Sequence, residues 1–114
     1  MSLTKEQVRE KMVEKDVVVL SVLPQEDFEK LHIAGSRSLP LTLDYGAFLH
    51  EIEKMYGKKR FFITYGSHWT RVDGASAAQA MKVQGFNAEN YPGGIREWFD
   101  AGFPTEGTEM LHPV

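Results

Sequence analysis

Two short stretches decide what this chain can fold into. Val17-Val18-Val19-Leu20-Ser21-Val22 and Phe61-Phe62-Ile63-Thr64-Tyr65 are nearly unbroken apolar runs rich in β-branched and aromatic residues. A strand with one wet face alternates apolar and polar residues, whereas a strand covered on both faces does not. Both runs are therefore expected as neighbours in a parallel sheet with helices packed on each side. The expected class is α/β: a three-layer α/β/α arrangement with a mainly parallel sheet of four to five strands. With 114 residues, 42% of them apolar, the chain is expected to form one domain, residues 1–114, with a real core.

The segments between these runs supply the helices. Tyr45, Phe48, Leu49, Ile52, Met55 and Tyr56 fall at offsets 0, 3, 4, 7, 10 and 11. That is one stripe of a helix, with Asp44 as N-cap and Gly57 as stop. Tyr45, Phe48 and Ile52 are read as core. Thr4 and Gln7 fit a capping box, and Leu3 with Val8 a hydrophobic staple, for a helix over residues 5–14. Pro24 can open a short helix with Phe28 and Leu31 turned inward. His32-Ile33-Ala34-Gly35 reads as a turn before a brief strand at residues 36–39. Lys58-Lys59-Arg60 reads as a solvated loop. The alanine-rich residues 72–84 read as a helix lying close to the sheet, with Gly85 ending it. A strand within residues 86–91 follows, then a last helix over residues 95–101 that buries Trp98 and Phe99 and stops at Gly102. Phe61, Ile63, Ala78, Met81 and Trp98 are expected in the core, and the tail after Thr105 is expected extended or mobile.

Charge and composition exclude several functions. Thirteen basic residues against 16 acidic give a net charge of −3, which argues against nucleic acid or an anionic membrane as partner. No apolar run approaches the ~20 residues of a membrane helix. The start, Met1-Ser2-Leu3-Thr4-Lys5-Glu6, is already polar, so no signal peptide is read and a cytoplasmic location is expected. The cysteine count is zero, which removes disulfides, thiolate metal sites and a cysteine nucleophile. His32, His50, His68 and His112 show no ligand spacing, so no metal site is expected, and no cofactor.

One loop draws attention. In open α/β sheets ligands bind beyond the carboxyl ends of the strands. Gly66-Ser67-His68-Trp69-Thr70-Arg71 joins such a strand end to a helix start, where backbone N–H groups and the helix dipole can cradle an anion. Arg71 adds a planar cationic fork, or pairs with Asp73. Gly66 reads as a backbone position that needs unusual dihedrals or close approach. Ser67 and Thr70 suit turn bonding and helix capping. His68 is the one residue of the loop with general-base chemistry, and Trp69 suits a contact surface.

The motifs together resemble the rhodanese family, the sulfurtransferase homology domain. Val18-Val19-Leu20-Ser21-Val22, then His32-Ile33-Ala34-Gly35-Ser36 and Leu39-Pro40-Leu41, match its first signature. Tyr91-Pro92-Gly93-Gly94-Ile95-Arg96-Glu97-Trp98 matches its Gly-Gly-Ile-x-x-Trp motif, and Ala101-Gly102-Phe103-Pro104 its usual ending. The resemblance implies the strand order 3-2-4-5-1 with a first edge strand near Ser2 and Leu3, and a turn-stabilising role for His32. It also implies a persulfide-forming cysteine directly after the strand that ends at Tyr65. Gly66 stands there instead. Ser21 replaces the usual Asp and Leu23 the usual Arg, while Arg71 keeps a basic residue at the end of the loop. The expected function is a catalytically incompetent rhodanese-homology domain with no catalytic residue. It would bind a small anion, a sulfur species or a protein partner through Gly66, Ser67, His68, Trp69, Thr70 and Arg71. The alternative is an enzyme of residual or different chemistry, sulfur-transfer-related or hydrolytic, using His68 or a loop hydroxyl.

Overall fold

The two apolar runs lie side by side at the centre of a parallel sheet. The computed structural model describes residues 2–42, 44–67 and 73–108. β1 (Val17–Ser21) and β4 (Phe61–Tyr65) pair from Val17 opposite Phe61 to Ser21 opposite Tyr65. β3 (Arg37–Ser38) flanks β1 and β5 (Asn87–Tyr91) flanks β4, giving the order β3-β1-β4-β5. Ser2 bridges Asn90 in the parallel sense, and the Leu3 N–H donates to the Asn90 carbonyl at 2.9 Å. The start of the chain is thus a minimal outer edge beside β5, as the resemblance implied.

Alternation along the strands splits the apolar interior into two layers. Val18, Leu20, Phe62 and Ala88 meet Phe48 and Ile52 of α3 (Tyr45–Tyr56) and Ala77, Ala78 and Met81 of α4 (Asp73–Val83). On the other face Val19, Ile63, Tyr65 and Tyr91 meet Val8 of α1 (Lys5–Lys11) and Ile95 and Trp98 of α5 (Gly94–Asp100). α2 (Gln25–Lys30) stays half-buried or exposed throughout. α4 comes close to the sheet because Gly74, Ala77 and Ala78 present almost no side chain.

Local signals explain the ends of these elements. Thr4 and Gln7 form the reciprocal capping box of α1, although that helix ends at Lys11, short of the expected residue 14. In α3 the Asp44 carboxylate accepts from the Ala47 N–H at 3.0 Å, and Gly57 leaves the helix at φ 74°. The stripe of α3 is wider than the face that meets the sheet, so Tyr45 and Met55 remain 40% and 52% exposed rather than core. Phe99 is also outside the core, at 36% exposure, because helix neighbours point about 100° apart and Trp98 takes the inward direction. Phe61 opens β4 and is only half-buried, with the Lys11 ammonium 5.1 Å from its ring centroid. Lys58 is not a free solvated cation. It donates to the Gln84 carbonyl at 2.7 Å and lies over Phe86.

Two regions depart further from expectation. His32–Ile33 is a strand, β2, and the start of the tail is not merely extended but paired: Thr105–Glu106 forms β6, antiparallel to β2 with Ile33 opposite Thr105. The turn is confined to Ala34 and Gly35, the latter at φ 87°. Phe28 is half-buried and stacks on His32 at 3.8 Å between centroids, while the His32 Nδ1–H donates to the Phe28 carbonyl at 2.6 Å. His32 therefore fastens α2 to β2.

Candidate functional site

The site begins with Tyr65, the last residue of β4. Its side chain is fully buried, and its hydroxyl closes a ring of three hydrogen bonds. The Ser36 hydroxyl donates its one proton to the Ile33 carbonyl at 2.7 Å. The Tyr65 hydroxyl must then be the donor to Ser36 Oγ, also at 2.7 Å, and it accepts from the Ile33 N–H at 3.1 Å. The Ser21 hydroxyl, at the end of neighbouring β1, accepts from the Leu23 N–H at 3.4 Å. Burial pushes the Tyr65 phenol above its ordinary value, against its own hydrogen bonds. The polar cluster under the site, Ser21, Ser36 and Tyr65, is thus uncharged and paired.

Gly66 follows at once. Its φ is not in the left-handed region. A Cβ built on it meets nothing among the described residues nearer than the Gly74 nitrogen, at 3.8 Å. The expected unusual dihedrals are absent, and among the described residues no close approach occurs either, so these residues leave room here for a side chain. That room faces the described start of α4 at the Gly74 nitrogen. The Thr64 hydroxyl ties this end of the helix to β4 by donating to the Gly74 carbonyl at 2.7 Å.

α5 grips the other side of the loop's root. The Ile95 N–H donates to the Gly66 carbonyl at 3.0 Å and the Arg96 N–H to the Ser67 carbonyl at 2.9 Å. This approach requires Gly94. It sits at φ 66°, and a Cβ there would stand 2.6 Å from the Gly66 carbonyl oxygen. Sequence reasoning missed these participants, although the Gly93-Gly94 pair before a helix signals a close backbone contact. Ser67 is half-buried beside Gly66. His68, Trp69, Thr70 and Arg71 lie outside the described residues, as does the expected pairing of Arg71 with Asp73. Among the described residues no cluster of His, Asp or Glu is arranged to hold a metal, and no helix is long and apolar enough to cross a membrane.

Residues 4–101 match the family model described as Rhodanese-like domain. The chain belongs to the rhodanese-like family. Solved structures agree on the fold of this rhodanese-like domain. A protein from Bacillus halodurans is 20% identical with a TM-score of 0.81, over 94% of this chain and 77% of that one. A rhodanese-like domain from Anabaena sp. is 20% identical with a TM-score of 0.80, over 99% and 84%. A rhodanese-related protein from Thermoplasma volcanium is 23% identical with a TM-score of 0.73, over 92% and 96%. No curated protein matches the chain. What sets this rhodanese-like domain apart from the pattern that its motifs resemble is the residue after β4, a glycine in a chain without cysteine.

Proposed function

We propose that this rhodanese-like domain is not a sulfurtransferase but a noncovalent binding or regulatory module of the cytoplasm. It acts through the loop of Gly66, Ser67, His68, Trp69, Thr70 and Arg71. One observation carries the reading: Gly66 occupies the nucleophile's place and no cysteine exists elsewhere in the chain. Sulfane-sulfur transfer of the rhodanese kind needs a thiolate that attacks the donor, holds the sulfur as a persulfide and yields it to an acceptor. Glycine offers no such atom, and a serine or threonine hydroxyl without an adjacent base stays protonated. What remains is the strand end, the Gly74 backbone nitrogen beside the space above Gly66, and the charge of Arg71. That combination suits a small anion such as a sulfur oxyanion, and Trp69 suits contact with a protein partner.

Two measurements test this. The purified protein is expected to show no thiosulfate:cyanide sulfurtransferase activity, and turnover that disappears on heating the protein would overturn the reading. Thiosulfate, sulfate and phosphate titrated against tryptophan fluorescence are expected to give a saturable change with at least one anion, lost in Arg71→Ala. No saturable change with any of the three removes the anion as ligand.

A further inference from the structure

We infer that residues 103–108 form a strap whose docking holds the root of the β4–α4 loop, residues 65–67, so that this root is fixed only while the strap is seated. This concerns regulation of the site proposed above and rests on that reading, but the coupling itself can be tested without any ligand.

The Pro104 carbonyl accepts two hydrogen bonds, from the Ala34 N–H at 3.1 Å and from Trp98 Nε1–H at 2.7 Å. Ala34 lies in the turn between Ile33 and Ser36, which hold the Tyr65 hydroxyl. Trp98 belongs to α5, whose Ile95 and Arg96 N–H groups hold the Gly66 and Ser67 carbonyls. One carbonyl of the strap therefore joins the two elements that grip residues 65, 66 and 67. Past it, Thr105 pairs with Ile33, and the Gly35 N–H donates to Glu106 Oε1 at 3.3 Å. Thr108 closes the strap, its N–H donating to the Glu29 carbonyl at 2.8 Å and its hydroxyl to the same oxygen at 3.3 Å.

The strap is lightly seated. Pro104, Glu106, Gly107 and Thr108 are exposed, and its apolar anchor is the half-buried Phe103. That ring meets Trp98 edge-on at 5.0 Å and carries the Arg9 guanidinium at 4.6 Å. The strap's bonds from Gly35 and from the Thr108 hydroxyl are exposed and that to Trp98 is partly buried, and a segment so held over little buried apolar surface opens below global unfolding. Opening takes the shared acceptor from Ala34 and Trp98 together, and with it the tie between the two grips on the loop root. Gly107 permits the docked path. Its φ is 152°, and a Cβ there would stand 2.6 Å from the Lys30 carbonyl carbon.

Native-state amide hydrogen exchange on the full chain, resolved by NMR, tests the coupling. In Gly107→Ala the Ala34 and Thr108 amides should lose protection as the strap lifts. The Ile95 and Arg96 amides should then exchange roughly tenfold faster or more, while Val19 and Ile63 at the sheet centre are unchanged. Freed Ala34 and Thr108 with unchanged Ile95 and Arg96 would overturn the inference. Should the strap stay seated in that variant, Trp98→Phe decides, because it keeps an aromatic ring and deletes the Nε1–H donor. Protection at Ile95 and Arg96 must then fall, and unchanged protection overturns the inference. Failure of the anion titration would leave a positive exchange result standing, and a negative exchange result would leave loop binding standing.

Discussion

Glycine is not demanded by the backbone at position 66, since the φ is ordinary and the nearest described atom to a Cβ is 3.8 Å away. Its absence of a side chain is therefore a statement about chemistry rather than about folding. Gly66→Cys is expected to fold with stability within about 1 kcal/mol of the parent. Its thiol pKa should fall below the ~8.5 of free cysteine, because the Gly74 N–H at the described start of α4 and Arg71 favour the thiolate. Thiol titration checks this, and a value at or above that reference would show that the loop does not stabilise an anion. Tyr65→Phe addresses the residue before it. Removing the hydroxyl strips the buried Ile33 N–H of its acceptor, an expected loss of about 1–3 kcal/mol in urea unfolding. Sequence alone located Gly66 at the head of the loop but misjudged why glycine is tolerated there. A glycine announces backbone freedom, whereas the space around it belongs to residues elsewhere in the chain. The Tyr65–Ser36–Ile33 ring was illegible for the same reason.

Elements long enough to repeat their pattern were readable, and shorter ones were not. α3 was legible to the residue because Phe48 and Ile52 mark its inner face and Asp44 and Gly57 mark its ends. β2 and β6 have two residues each, too few to display any period, and their pairing is decided by where Pro104 and Trp98 bring the tail. α5 was readable as a helix, but not as the partner of the loop. Its dependence on Gly94 gives a second test. Gly94→Ala forces an L side chain into φ 66° and against the Gly66 carbonyl. The strain of the left-handed conformation alone is about 1–2 kcal/mol, so a larger shift in denaturant unfolding is expected once the carbonyl must also move. Trp98→Ala removes the ring that joins α5 to the core, at 2% exposure, and should cost about 3–5 kcal/mol. A loss under ~1 kcal/mol would mean that α5 contributes little to its layer.

Across the whole molecule, the resemblance carried the strand order, because motifs spread along the chain fix the order of elements more firmly than any local pattern does. One property of the assembled fold is its resistance to phenol ionisation. Burial holds both Tyr65 and Tyr91 above their ordinary value, and Tyr91 is raised further by its 2.8 Å hydrogen bond to Glu97 and by the charges of Glu97 and Glu6. The unfolded chain releases these protons near pH ~10, whereas the folded chain retains them. Their contribution is therefore present in full below that pH and falls as the pH rises above it. Urea midpoints compared at about pH 8 and about pH 11 should show this decline, and Tyr91→Phe should make it shallower. The empty position after β4 has one more consequence, in the chemistry of oxidants. A low-pKa thiolate is the first casualty of peroxide, climbing to sulfenic and then irreversible sulfinic acid. A chain with no cysteine has no rung on which to start, and its buried Met81 is shielded while Met55 lies open at 52% exposure. Peroxide stress that would silence a thiolate directly after β4 therefore finds no thiolate there to oxidise.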